Sequence, residues 1–208
     1  MALTMKHAEA SGRRHVCPVW VGYLLASPVR KLLQNPRKIL APHVTAGMQV
    51  LDVGCAMGFF SLPLARLVGP DGRVICVDLQ QKMLDVLQRR ARRKGLADRI
   101  ETRPCGPDSL GIADLAGRID FALAFAVVHE VADASRLFSE LNAALKPQGR
   151  LLLAEPKGHV SKNAFERTLA AAQACGFTAA ESPKMFRSRA AVLARRPDTG
   201  TVPDPAQL

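Results

Sequence analysis

The feature that most constrains this chain is an alternation: short extended runs, each followed by a stretch with helical spacing. QVLDVG (Gln49 to Gly54), RVICVD (Arg73 to Asp78), RIETR, DFALAFAVV (Asp120 to Val128) and RLLLAE (Arg150 to Glu155) are the extended runs. Most are nearly continuously apolar, the pattern of strands buried on both faces. Between and after them lie FFSLPLARLV, KMLDVLQRRARRKG, SRLFSELNAAL and NAFERTLAAAQAC, whose apolar residues recur at helical intervals. Pro63 is near enough to the start of the first helix to be tolerated, GPDG and KPQG read as turns, and Ser161 can cap the last helix. Strands alternating with helices predict an α/β fold, a doubly wound sheet covered on both faces, with ligands bound at the carboxyl ends of its strands.

A length of 208 residues suits one such domain with appendages. Residues 1–14 are polar and aperiodic, and PDTGTVPDPAQL from Pro197 is a Pro-rich polar tail. The division expected is an N-terminal segment (1–34), the domain (35–196) and a disordered tail (197–208). Five cysteines, none in a Cys-x-x-Cys pair, argue against a disulfide framework or zinc ribbon and for a reducing, cytoplasmic setting. No apolar run reaches transmembrane length. Arg13 and Arg14 before the apolar Val16–Ala26 imitate a secretion signal, but Pro18, Trp20 and Gly22 interrupt it.

The first strand runs into LDVGCAMGFF, and the second ends on Asp78. A glycine turn entering a helix admits a ligand close to the backbone, and an acid ending the next strand can accept hydrogen bonds from ribose hydroxyls. Both features fit a dinucleotide or another nucleoside cofactor. The spacing Asp52-x-Gly54-x-Ala56-x-Gly58 places an acid two positions before the first glycine, which suits a ligand carrying an ammonium group better than a pyrophosphate.

On these residues the chain resembles the class I S-adenosylmethionine-dependent methyltransferases, whose first motif is [D/E]-x-G-x-G-x-G. The resemblance spans about residues 35 to 196. VVHEVAD (Val127 to Asp133) and ALKPQGRLLLAEP (Ala144 to Pro156) are similar to segments of small-molecule methyltransferases of the ubiquinone/menaquinone type. The resemblance implies a Rossmann-like seven-stranded sheet of order 3-2-1-4-5-7-6 with the last strand antiparallel, and S-adenosyl-L-methionine as cofactor. It implies that Asp52, Gly54, Ala56 and Gly58, with Cys55 between them, hold the methionine part, that Asp78 binds the ribose and that Leu79 lies against the adenine. Phe125, ending the fourth strand, joins the cofactor set. Two departures stand out. Ala56 replaces the middle glycine, which is tolerable if the backbone there is not left-handed. Gly106 occupies the position of the acid that often meets the adenine, leaving Asp108 two residues later, with Cys105 or backbone sharing the contact.

Methyl transfer from a sulfonium needs mainly alignment and exclusion of water, with a base where the acceptor is a phenol, thiol or acidic carbon. His129, after the fourth strand, is the candidate base, and packing is its alternative role. Glu155 is a candidate for orienting the acceptor or for capping a loop; Glu130 and His159 lie nearby in sequence. Cys17, Cys55 and Cys105 raise the idea of a metalloid acceptor, but buried thiols are ordinarily apolar filler, and no metal is expected. The net charge of +11 and pI of about 10.0 raise nucleic acid as a partner. Yet RRARRK (Arg89 to Lys94) carries no interleaved aromatics and falls opposite Leu84, Leu87 and Ala91, as a solvated helix face does. HVCPVWVGYLL (His15 to Leu25) holds the chain's one Trp and one Tyr. Trp20 and Tyr23 are read as a lid over an apolar or aromatic acceptor, with peripheral membrane contact or plain packing on the sheet as alternatives. The function expected is methylation of a small apolar or aromatic molecule, against RNA or protein methylation or non-catalytic binding of the cofactor or its product.

Overall fold

The computed structural model describes residues 34–196. The expected segment 1–34, Gln34 aside, and the tail 197–208 lie outside the described residues. A seven-stranded sheet has the order β3-β2-β1-β4-β5-β7-β6. Its strands are β1 Gln49–Val53, β2 Arg73–Asp78, β3 Ile100–Pro104, β4 Ile119–Phe125, β5 Leu145–Pro156, β6 Phe177–Glu181 and β7 Ser188–Arg195. Pairings among β1 to β5 are parallel, and β7 runs antiparallel to both β5 and β6. The helices are α1 Pro36–Leu40, α2 Ser61–Leu67, α3 Gln81–Arg92, α4 Ala134–Ala144 and α5 Lys162–Ala174.

Side chains alternate across the strands and so divide the core in two. On one face Leu51, Val53, Ala122 and Leu153 pack with Phe138, Leu141 and Phe165 of α4 and α5. On the other, Val50, Phe121, Leu123 and Leu152 pack with Leu64, Leu84 and Leu87 of α2 and α3. The helix boundaries have local causes. Asp133 caps α4 by accepting from the Arg136 amide, and the Ser161 side chain accepts from the Ala164 amide at the start of α5, as its sequence predicts. Leu84, Leu87 and Ala91 are buried, whereas Arg89, Arg92, Arg93 and Lys94 are exposed.

Two boundaries differ from the sequence reading. The fourth apolar run was expected to stay extended to Val128, but β4 stops at Phe125. Ala126 takes a left-handed φ of 58°, which turns the chain into a single 3-10 turn at Val128–Glu130. Apolar content alone does not separate a strand from a buried loop, and Val128 is buried in this one. KPQG was expected to be a turn before the fifth strand, yet it lies inside β5. Ile119 pairs with Leu145 but Phe121 with Arg150, so residues 146–149 bulge out of a ladder that continues on both sides.

Strand order reverses between β1 and β4, and the crevice outside their carboxyl ends is where an open α/β sheet receives a ligand. Among the described residues no helix is long and apolar enough to cross a membrane.

Candidate active site

At that crevice the β1–α2 turn closes on the end of β2. Gly54 and Gly58 have φ of 66° and 80°. A Cβ at Gly54 would stand 2.6 Å from Val127 Cγ2, and one at Gly58 would stand 2.3 Å from Leu87 Cδ1. The first glycine therefore lets the turn pass under the β4 loop, and the second lets it pack on α3. Ala56 is left-handed as well, at φ 46°, so the condition set for tolerating its extra methyl is not met. A hydrogen bond fixes the turn in spite of that strain: the Ala56 amide donates to Asp78 Oδ2 at 2.8 Å, while Asp78 Oδ1 accepts from the Gln80 amide at 2.9 Å. Arg90 of α3 adds a further tie, donating from its guanidinium to the Met57 carbonyl.

A cavity of about 350 Å³ opens over this turn. Of the residues singled out from the sequence, Gly54, Cys55, Ala56, Asp78, Leu79, Asp108 and Phe125 all line it. Asp52 and Gly58 do not. Asp52 points to the α2 side of the sheet, 3% exposed, and accepts a 2.6 Å hydrogen bond from Ser61 Oγ. Burial pushes its carboxyl up to about 7, against the Ser61 bond that favours the ionised form. Cys105 and Gly106 are both in the wall. Burial pushes the Cys105 thiol up to about 11 and the Cys55 thiol well above its ordinary value, so neither is poised as a thiolate. Cys17, Trp20 and Tyr23 lie outside the described residues. Among the described residues no group of three His, Cys, Asp or Glu side chains could hold a metal ion.

His129 and Glu155 come together beside the cavity and are not part of its wall. Glu155 is 1% exposed; Oε1 accepts from the Val128 amide at 2.8 Å and Oε2 meets His129 Nδ1 at 2.5 Å. Held this way, Glu155 fixes the loop after β4. Its hydrogen bond raises the His129 imidazole above the usual histidine range, opposed by partial burial. His159 stacks edge-on against His129 with ring centroids 5.7 Å apart.

The sequence reading missed the far wall, where Arg136, Leu137 and Glu140 of α4 meet Ser109 and Leu110. Glu140 accepts from the Leu110 amide at 2.8 Å and from Ser109 Oγ at 3.2 Å, pinning the β3–β4 connection to α4. Its signal was present: Asp133, Arg136, Leu137 and Glu140 follow the spacing of one helix face. Glu130, in the wall two residues before Ala132, is raised by burial, as is Asp78.

The wall thus combines acids (Asp78, Asp108, Glu130) with apolar surface (Leu79, Phe125, Val127) around a turn that leaves no room for a Cβ at Gly54 or Gly58. That donor set fits a cationic nucleoside: carboxylates for ribose hydroxyls and positive charge, apolar faces for a base.

The comparisons with known proteins agree with this geometry. Residues 44–194 match the family model described as a methyltransferase domain, so the chain belongs to that family. The crystal structure of a SAM-dependent methyltransferase from Aquifex aeolicus superposes with a TM-score of 0.74 at 23% identity, covering 85% of this chain and 97% of that one. The fold is that of the S-adenosylmethionine-dependent methyltransferases. The ubiquinone/menaquinone biosynthesis C-methyltransferase of Hahella chejuensis is 28% identical over 163 residues, 76% of this chain and 65% of that protein. An uncharacterized 37.1 kDa protein in transposon TN4556 of Streptomyces fradiae is 34% identical over 153 residues, 72% of this chain and 43% of that protein. The chain thus spans less than two thirds of the length of these two relatives.

Proposed function

We propose that this chain transfers the methyl group of S-adenosylmethionine to a small apolar or aromatic acceptor. The observation that carries the reading is the left-handed turn Gly54–Gly58, hydrogen-bonded through Ala56 to Asp78 and roofed by an acid-walled cavity at the switch point of the sheet. Bound there, the cofactor supplies a methyl group already activated by its positive sulfur. Asp78 would hold the ribose, Leu79 the adenine, and the turn with Cys55 and Ala56 the methionine end. Asp52 supports this turn from behind through Ser61, and Asp108 stands at the adenine side. The names of relatives in ubiquinone and menaquinone biosynthesis, among them an O-methyltransferase of Methylocella silvestris 32% identical over 139 residues, favour an apolar aromatic acceptor.

His129 is the proposed base. With Nδ1–H donated to Glu155, the neutral imidazole keeps its lone pair on Nε2, ready to take a proton. Glu155 is then a positioning residue for His129 and for the Val127–Glu130 loop. Four free cysteines among the described residues accord with a cytoplasmic setting.

Calorimetric titration with S-adenosylmethionine tests the reading, with Asp78→Ala as control. Saturable binding, weakened at least about tenfold by the substitution, is the expected result, since two ribose hydrogen bonds to a charged acceptor are lost. Folded protein that binds no S-adenosylmethionine would overturn the reading. Binding without methyl transfer to any apolar or phenolic acceptor would favour a non-catalytic binder.

A further inference from the structure

We propose that the carboxyl edge of the sheet beside β5 is a docking surface for anionic membrane. It goes beyond methyl transfer and stands on residues outside the cavity. β5 ends at Pro156, β6 ends at Glu181 and the antiparallel β7 begins at Ser188, so residues 157–162 and 182–187 both lie on the edge where the cavity opens. The two segments are joined: the Lys157 amide donates to the Arg187 carbonyl at 2.9 Å. A bridge between Met185 and Ser188, with Arg187 left-handed at φ 52°, makes a tight turn that carries Phe186 at its tip.

Phe186 is 53% exposed. The other large exposed hydrophobic among the described residues is Leu79, which belongs to the cavity. Next to the turn is a groove of about 590 Å³ between α5 and the β6–β7 connection. Its floor is apolar (Phe165, Leu169, Met185) and its rim is cationic (Lys157, Lys162, Lys184). The acid in the groove wall is Glu166, 3.7 Å from Lys162 in an exposed pair, which leaves the rim with excess positive charge. Apolar floor, cationic rim and a projecting phenyl ring match the acyl chains and phosphate headgroups of an anionic bilayer. Nucleic acid is the poorer fit, because a single aromatic at a turn is not a row of stacking platforms. An apolar acceptor would then reach the cavity along the surface on which the protein sits.

The test is co-sedimentation of the full chain with phosphatidylcholine vesicles, plain or with about a third phosphatidylglycerol, at low and high salt. Binding is expected to the anionic vesicles, to fade at high salt, and to weaken about fivefold for each rim lysine lost. Lys157→Glu with Lys184→Glu should therefore cut partitioning by at least about 25-fold, and Phe186→Ser should lower it further. Both variants should still bind S-adenosylmethionine like the parent, which separates a lost surface from a lost fold. Failure to sediment with anionic vesicles would overturn the proposal. So would sedimentation that these substitutions leave unchanged but deletion of residues 1–33 abolishes. Retention on poly(U) with the same residue dependence, with no vesicle binding, would reassign the surface to nucleic acid.

Discussion

At the scale of single residues the Gly54–Gly58 turn is a balance between strain and hydrogen bonding. Ala56 at φ 46° occupies a conformation that costs a non-glycine residue about 1–2 kcal/mol. Ala56→Gly relieves that strain but adds unfolded-chain entropy of about 0.5–1 kcal/mol, so thermal melts should show no loss of stability and at most ~1.5 kcal/mol of gain. Gly54→Ala should behave oppositely. Its new Cβ would meet Val127 at 2.6 Å, and S-adenosylmethionine affinity measured by calorimetry should fall at least about tenfold as turn and loop separate. His129 gives a prediction in pH. Its folded pKa lies above 6.5, so its pair with Glu155 stabilises the protein fully below 6.5, and that contribution is lost as pH rises through the raised value. A base must be neutral, so kcat should climb with pH across the same window. His129→Gln should lower kcat by about 10²-fold or more and flatten the profile. Retained activity would reduce His129 to a loop-positioning residue.

Among the elements, α3 holds the turn from below as the loop after β4 holds it from above. Gly58 is tight against Leu87 of α3, and Arg90 of the same helix reaches the Met57 carbonyl. Gly58→Ala should cost about 1–3 kcal/mol through overpacking and positive-φ strain. Adding Leu87→Ala should restore less than the clash costs, because it opens a cavity in the α2–α3 core. Denaturant titrations of both singles and the double measure that coupling. The elements are also where sequence and structure differ. Val127 and Val128 look like strand because apolar content does not report φ, whereas the left-handed Ala126 ends β4 three residues earlier, at Phe125. KPQG does turn, but as a bulge within β5, because the Leu145–Ile119 pairing on its far side depends on a neighbouring strand distant in sequence.

For the molecule as a whole, a chain of net charge +11 builds a cavity wall rich in acids. Asp78 and Glu130 sit above the ordinary carboxylate range because burial disfavours their charge, and a cation in the cavity reverses that preference. Affinity for the positively charged S-adenosylmethionine should therefore rise with pH through this raised range, more steeply than affinity for its neutral-sulfur product. Parallel titrations of the two compounds check it. Asp52 imposes a separate dependence on stability. Its folded pKa of about 7 against 3.8 means that its contribution is fully present below 3.8 and is lost as pH rises towards and through 7. Asp52→Asn, keeping an acceptor for Ser61, should remove that slope from denaturation curves.

The sequence by itself determined the sheet with its covering helices, the glycine turn and the acid that ends β2. Each of these is written in residues close together in the chain: apolar period, cap, glycine spacing, strand-ending Asp78. Tertiary structure alone decided which of those residues line the cavity. Asp52 lies one residue from a wall-lining neighbour, yet strand alternation turns it to the opposite face of the sheet. Glu155, legible as a strand-ending acid, is drawn to His129 and the Val128 amide because β5 lies beside β4. Arg136 and Glu140 join the wall because α4 packs over the β3–β4 connection. These placements depend on packing between distant segments: local spacing puts Arg136 and Glu140 on one helix face but does not say what that face meets.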